Sequence, residues 1–146
     1  MKRWFAFCCI FFLYAVPCSA TDKDVAGVIN NVNGTATVER SGQVVEAVTG
    51  NKIYQKDILQ TGPDGSVGVI FRDDTVLSMG PDSRIAIDEF LYSPADGKLS
   101  FVSSVSKGTA AFLSGKIAKL SPESVRVETP LAVLGVRGTR FLVAVD

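Results

Sequence analysis

Beyond residue 24 the chain is written in short runs that alternate apolar and polar side chains, the period of strands with one buried face. Val28, Asn30 and Val32 alternate with their neighbours up to Asn33-Gly34, and Ala36 and Val38 share a face in the run ending at Arg40. Asn-Gly between two such runs is the strongest local hairpin signal, because both residues tolerate positive φ. The first two runs are therefore expected to pair with each other. Ser41-Gly42 then turns the chain into a third strand over residues 44–48.

The middle of the chain contains a weak repeat. Gly62-Pro63-Asp64-Gly65 precedes Val67, Val69 and Phe71; Gly80-Pro81-Asp82-Ser83 precedes Ile85 and Ile87; Ser121-Pro122-Glu123-Ser124 precedes Val125 and Val127. Each is a proline-initiated turn feeding an alternating strand, since proline pre-sets φ and the residues after it favour turns. The spacings, 18 and then 41 residues, are too unequal to establish a solenoid. They point to a chain that coils through similar strand and turn units. Residues 93–98 read as a loop. Residues 109–113 read as strand, and the stretch to Leu120 is open between strand and helix, because Leu113, Ile117 and Leu120 fall at helical spacing while Gly115 disfavours a helix. Met79, Phe71, Phe90, Phe101, Phe112 and Phe141 all sit in strand-like runs and are the expected core.

The segment Thr129-Pro130-Leu131-Ala132-Val133-Leu134-Gly135-Val136-Arg137-Gly138-Thr139-Arg140-Phe141 closes the pattern. Pro130 biases Thr129 toward extended geometry and opens an apolar run that reads as strand, and Gly135 and Gly138 are expected where a side chain would not fit. Arg137 and Arg140 flank this turn. They are candidates for contact with a partner protein or an anion. Their alternative role is to brace the last strand by pairing with a carboxylate such as Glu128 or Asp146.

This closing segment resembles the end of the FecR domain, a bacterial extracytoplasmic module whose pattern finishes on Thr-Pro, Gly-x-Arg-Gly-Thr and Phe. Thr129, Pro130, Gly135, Gly138, Thr139 and Phe141 carry that pattern here. Lys56-Asp57-Ile58-Leu59-Gln60-Thr61-Gly62, residues 66–71 and Lys107-Gly108-Thr109-Ala110 extend the likeness over residues 28–143. In the regulators for which the family is named, such a domain receives a signal from an outer-membrane transporter and is joined through a membrane helix to a cytoplasmic segment that controls a sigma factor. The chain shows neither of those segments, so the resemblance implies a stand-alone accessory domain that binds or senses another protein. It also stops soon after Phe141, where the family pattern usually continues. The last strand is therefore expected to present an open edge through which a partner strand or a second copy could add.

Residues 1–20 have the three parts of an export signal: Lys2 and Arg3, an apolar run over residues 4–16, and the small residues Cys18-Ser19-Ala20. The apolar run is too short to cross a bilayer, which needs about 20 residues. Cleavage after Ala20 would leave one domain, residues 21–146, periplasmic or secreted; a lipid-modified Cys18 is the rival, poorly matched by Pro17 before it. Cys8, Cys9 and Cys18 all leave with the leader, so the remaining domain forms no disulfide and depends on its core. It keeps 13 basic against 15 acidic residues, a net charge of −2, which argues against nucleic acid and polybasic membrane attachment.

The chain has no histidine. Zinc sites of the nitrogen and sulfur kind, cysteine nucleophiles and histidine triads are thereby excluded beyond the leader. Asp88 and Glu89 are neighbours on a strand and are expected on opposite faces. Asp73 and Asp74 read as a turn, with a calcium ligand pair as the sharper alternative. No enzyme activity and no cofactor are expected. The sequence reads as a single all-β domain in a rolled, β-helix-like or two-sheet sandwich arrangement. Its expected partner is an envelope protein, with the signalling domain of a transporter as one candidate; the second reading is a structural or glycan-associated envelope domain. Tyr54 and Tyr92 are the only tyrosines beyond the leader and form no motif in the sequence.

Overall fold

The computed structural model describes residues 25–136 and 138–146. The leader expected over residues 1–20, Cys18 and Arg137 lie outside the described residues. The rest folds as β1 (Val25–Asn33), β2 (Ala36–Arg40), β3 (Gln43–Glu46), β4 (Lys52–Tyr54), β5 (Ile58–Thr61), β6 (Ser66–Phe71), β7 (Val76–Met79), β8 (Arg84–Ser93), β9 (Lys98–Leu113), α1 (Lys116–Leu120), β10 (Val125–Glu128), β11 (Val133–Gly135) and β12 (Arg140–Val145). The all-β expectation holds in its rolled, two-sheet form.

A front sheet runs β4-β1-β6-β7-β9-β12 and a back sheet β3-β2-β5-β8-β9-β10-β11. The long strand β9 belongs to both: its first half pairs with β8 and β10, its second with β7 and β12. Among the described residues every pairing is antiparallel except β9 with β10. A parallel neighbour cannot be reached by a tight turn, so the chain needs the crossover that α1 supplies.

Asn33-Gly34 is not a hairpin. β1 pairs with β4 and β6, and β2 with β3 and β5, so the dipeptide is a corner where the chain leaves one sheet for the other. Positive φ is still required, at +64° for Gly34, but it serves a close approach: a Cβ there would lie 2.2 Å from the Asp64 carbonyl oxygen. Ser41-Gly42, with φ of 51° and 79°, is the true two-residue hairpin, joining Arg40 to Gln43.

The first two proline turns are further corners, and they stack beside Gly34. Gly62 donates its N–H to Thr35 O at 2.9 Å, and Asp82 donates to Gly62 O at 3.0 Å. The Thr61 hydroxyl donates to Gly80 O at 2.7 Å and accepts from the Ser83 N–H at 2.9 Å. Ser83 in turn accepts from the Thr109 N–H, next to the point where β9 changes sheet at Gly108. The repeat is therefore a row of sheet-changing corners locked together by hydrogen bonds. The third proline turn stands apart, after α1, and leads into β10.

Between the sheets lie Phe71, Phe90, Phe101 and Phe112, all buried. Phe71 meets Phe101 edge-on at 4.9 Å between centroids, and the half-buried Phe141 stacks on Phe112 at 4.8 Å. Asp57, also buried, accepts two hydrogen bonds from the Arg40 guanidinium, 2.9 and 2.7 Å, and a third from the Tyr54 N–H. These bonds outweigh desolvation and hold Arg40 above its ordinary pKa. In β8 strict alternation fails. Ile87 faces Ser103 and Glu89 faces Val102, so Asp88 is an extra, bulged residue. Buried Ile85 and Ile87 are followed by buried Phe90, which leaves both Asp88 and Glu89 partly exposed instead of on opposite faces.

Candidate functional site

The closing segment departs from its expected shape at three points. Pro130 sits in a four-residue turn, not in a strand: Thr129 and Ala132 bond to each other through their backbones at 2.8 and 3.4 Å, and only residues 133–135 form β11. Gly135 has no positive φ, and a Cβ added there would meet nothing within 4 Å, so neither space nor conformation demands it. Gly138 is demanded by its φ of +116° alone, because its surroundings are open. The Gly138 carbonyl accepts from the Ser114 hydroxyl at 2.9 Å and the Thr139 carbonyl from the Ser114 N–H at 2.8 Å, which seats the start of β12 on the end of β9. Arg140 is exposed and pairs with neither Glu128 nor Asp146; among the described residues it makes no ion pair. The bracing role is thus not one that Arg140 performs.

What Arg140 does is end a row. Cross-strand registry places Val28, Ile70, Val76, Leu113 and Arg140 side by side on β1, β6, β7, β9 and β12. All five point away from the core on the outer face of the front sheet. Val28, Ile70 and Leu113 are each 41% exposed, and Leu142, one outward position along β12 from Arg140, is 73% exposed. The row spans about 19 Å, from a strand spacing of ~4.8 Å. An antiparallel sheet with a solvated face ordinarily places polar side chains there. The back sheet does so: its outward positions include Glu39, Gln60, Arg84 and Glu128, with Arg84 bonded to Gln60 at 2.9 Å and 3.5 Å from Glu39. The front sheet thus carries a continuous outward aliphatic row, whereas the exposed aliphatics of the back sheet, Val44 and Val133 among them, stand in registry beside Glu39 and Glu128.

Beside it the closing hairpin leaves open backbone. Among the described residues β11 pairs only with β10, and β12 only with β9, so each has one unpaired edge. A groove of about 840 Å³ runs between α1, the third proline turn and β11, and Gly135 lines it together with Val125, Arg126 and Glu123. The Glu123 carboxyl is held below its ordinary 4.5, first by its own backbone N–H and then by the Ser121 hydroxyl at 2.8 Å. An NMR titration is expected to place its midpoint below 4.5. Ser121→Ala should raise that midpoint without restoring it fully, since the N–H remains.

Asp73 and Asp74 form a turn, as the sequence suggests. Asp73 is buried and accepts from the Thr75 N–H and hydroxyl at 3.1 and 2.7 Å and from the Ile117 N–H at 3.2 Å, while Asp74 holds Lys116 at 3.1 Å. No group of three or more metal-ligating side chains occurs among the described residues. No helix among them is long and apolar enough to cross a membrane.

The fold and its surfaces define a rolled, mainly antiparallel β domain with a row of outward aliphatic side chains on its front sheet. A family model described as FecR protein matches residues 57–146, more than half of the chain, and the chain belongs to that family. Membership associates it with FecR-type regulatory signalling, the work of a family that is regulatory and not enzymatic. Neither the curated proteins nor the solved structures contain a match.

The sequence alone missed the aliphatic row. The local signals are apolar residues out of phase with the core: Val28 beside Ile29, Ile70 beside Phe71, Val76 beside Leu77 and Leu113 beside Phe112. That these form a row depends on which strands lie side by side.

Proposed function

We propose that this protein is an exported, periplasmic accessory domain of FecR-type signalling that carries out no chemistry and docks an envelope protein on the outer face of its front sheet. The observation that carries this reading is the row from Val28 to Leu113, four aliphatic side chains held outward in register and ended by Arg140. Burying such a face on a partner removes apolar area from water, and a cation at its rim favours a partner with an acidic group at the matching place. The leader-like residues 1–20 support export.

The test is photocrosslinking in cells, with a photoreactive residue at position 140 and the domain recovered from the periplasmic fraction. One partner is expected to be captured, and Ile70→Glu or Leu113→Glu should cut that capture about tenfold or more. Gln60→Glu on the back sheet should leave it unchanged. Capture indifferent to the front-face substitutions would overturn the docking face, and crosslinking only to a second copy would replace the envelope partner with self-association at β12.

A further inference from the structure

We propose that a second site, the cleft between Tyr54 and Tyr92, binds an uncharged pyranose unit of a glycan chain. The cleft measures about 810 Å³ and lies at the far ends of β4 and β8, away from the Arg140 end of the front face. Its volume is in the range of small-ligand sites. The floor is Phe90, 7% exposed and stacked on Phe71 at 5.6 Å. Both half-buried tyrosines line it, although they stand far apart in the chain. The Arg40 guanidinium covers the Tyr54 ring at 4.5 Å but does not itself line the cleft, so the ring offers the cleft its other side.

The polar groups around this aromatic frame have unused capacity. Neither phenol oxygen has a hydrogen-bond partner among the described residues. Gln55 accepts from the Phe90 N–H at 3.1 Å, which fixes its amide and leaves the amide N–H groups for a ligand. Asp96 takes one hydrogen bond, from the Ser93 hydroxyl at 2.8 Å, and keeps further acceptor capacity. Lys98, exposed, and Arg72, which donates to Val25 O at 3.4 Å, line the cleft with positive charge alongside the negative Asp96. Mixed signs give no strong pull on a highly charged ligand.

A pyranose ring has apolar C–H faces and a perimeter of hydroxyls that both donate and accept. Its faces suit the negative face of a tyrosine ring, and its perimeter suits a rim that mixes donors with acceptors. The cleft provides both at once, independently of the docking face.

The test is a titration of the labelled domain, residues 21–146, with β-1,4-linked N-acetylglucosamine tetramer, followed by amide NMR. Saturable shifts are expected at residues 54–55 and 90–98, with a Kd of about 1 mM or tighter. Tyr92→Leu and Tyr54→Leu should each weaken binding up to about tenfold, the worth of one aromatic contact. Ile70→Glu should leave the affinity unchanged. Tyr92→Phe and Lys98→Ala keep the packing and serve if a leucine variant does not fold; at least one of them should weaken binding. No saturable shift with this tetramer or with maltotetraose, shifts confined to the front sheet, or an affinity untouched by all four cleft variants would overturn the site.

Discussion

Gly108→Ala should cost about 3 to 4 kcal/mol of stability, read as a fall in the urea midpoint with little change in slope. The residue has a φ of +85°, which alone costs an alanine ~1–2 kcal/mol. The added Cβ would also lie 2.2 Å from Ser83 Oγ, 2.5 Å from Ser83 Cα and 2.7 Å from the Asp82 carbonyl oxygen. Ser83 cannot step aside freely, because its N–H is bonded to Thr61 and its hydroxyl to Thr109. Displacing it would sacrifice hydrogen bonds worth about 1 kcal/mol each. Gly97→Ala is the control: its φ is +66°, yet nothing lies within 4 Å of a Cβ, so only the conformational cost of ~1–2 kcal/mol applies. Equal losses at the two positions would mean that the corners are not packed as described.

Asp73→Ala should cost about 3 kcal/mol and release α1, because three hydrogen bonds converge on this buried carboxylate, two from Thr75 and one from the Ile117 N–H. Without it two buried amides and a buried hydroxyl lose their acceptor, each at about 1 to 3 kcal/mol before relaxation. A five-residue helix cannot persist by itself, so its order depends on tertiary anchors: this carboxylate, the Asp73 carbonyl that accepts from the Lys116 N–H at 2.7 Å, and the buried Ile117 side chain. Hydrogen exchange at Ile117 should accelerate together with the loss of stability. Asp74→Asn, which removes an exposed contact with Lys116 and keeps a side chain that tolerates the φ of +69°, should change little. An Ile117 amide as protected in Asp73→Ala as in the parent would rule out the anchoring role.

Local signals make the strands legible. Alternation places the early strands, proline turns place the starts of β6, β8 and β10, and the aromatic positions mark the core, because each of these depends on neighbours in sequence. Pairing does not follow. Asn33-Gly34 has the conformational freedom of a hairpin and uses it to change sheet, since what decides between the two is whether β1 meets β2 or β6, a long-range choice. For the same reason Gly135 reads as a steric necessity and is not one. Arg140 stands out in the sequence as an unusual residue, but its neighbours Leu113, Val76 and Ile70 come from three other strands. Asp57 and Asp73 carry no periodicity signal: each stands beside other charged residues in the sequence, and its burial is licensed only by partners that folding supplies.

The shared strand β9 also sets an order of events. The four strands β4-β1-β6-β7 and the four strands β3-β2-β5-β8 each end on an edge that only β9 covers. As the chain is delivered with its N-terminus first, both edges stay bare until residues 98–113 have followed, about three-quarters of the way along. Up to that moment β7 and β8 are templates for any stray strand, and the nascent chain is at its most vulnerable to aggregation. Once β9 arrives, one segment seals both sheets, so a substitution that delays its docking would lower the yield of folded protein more than the stability of what has already folded.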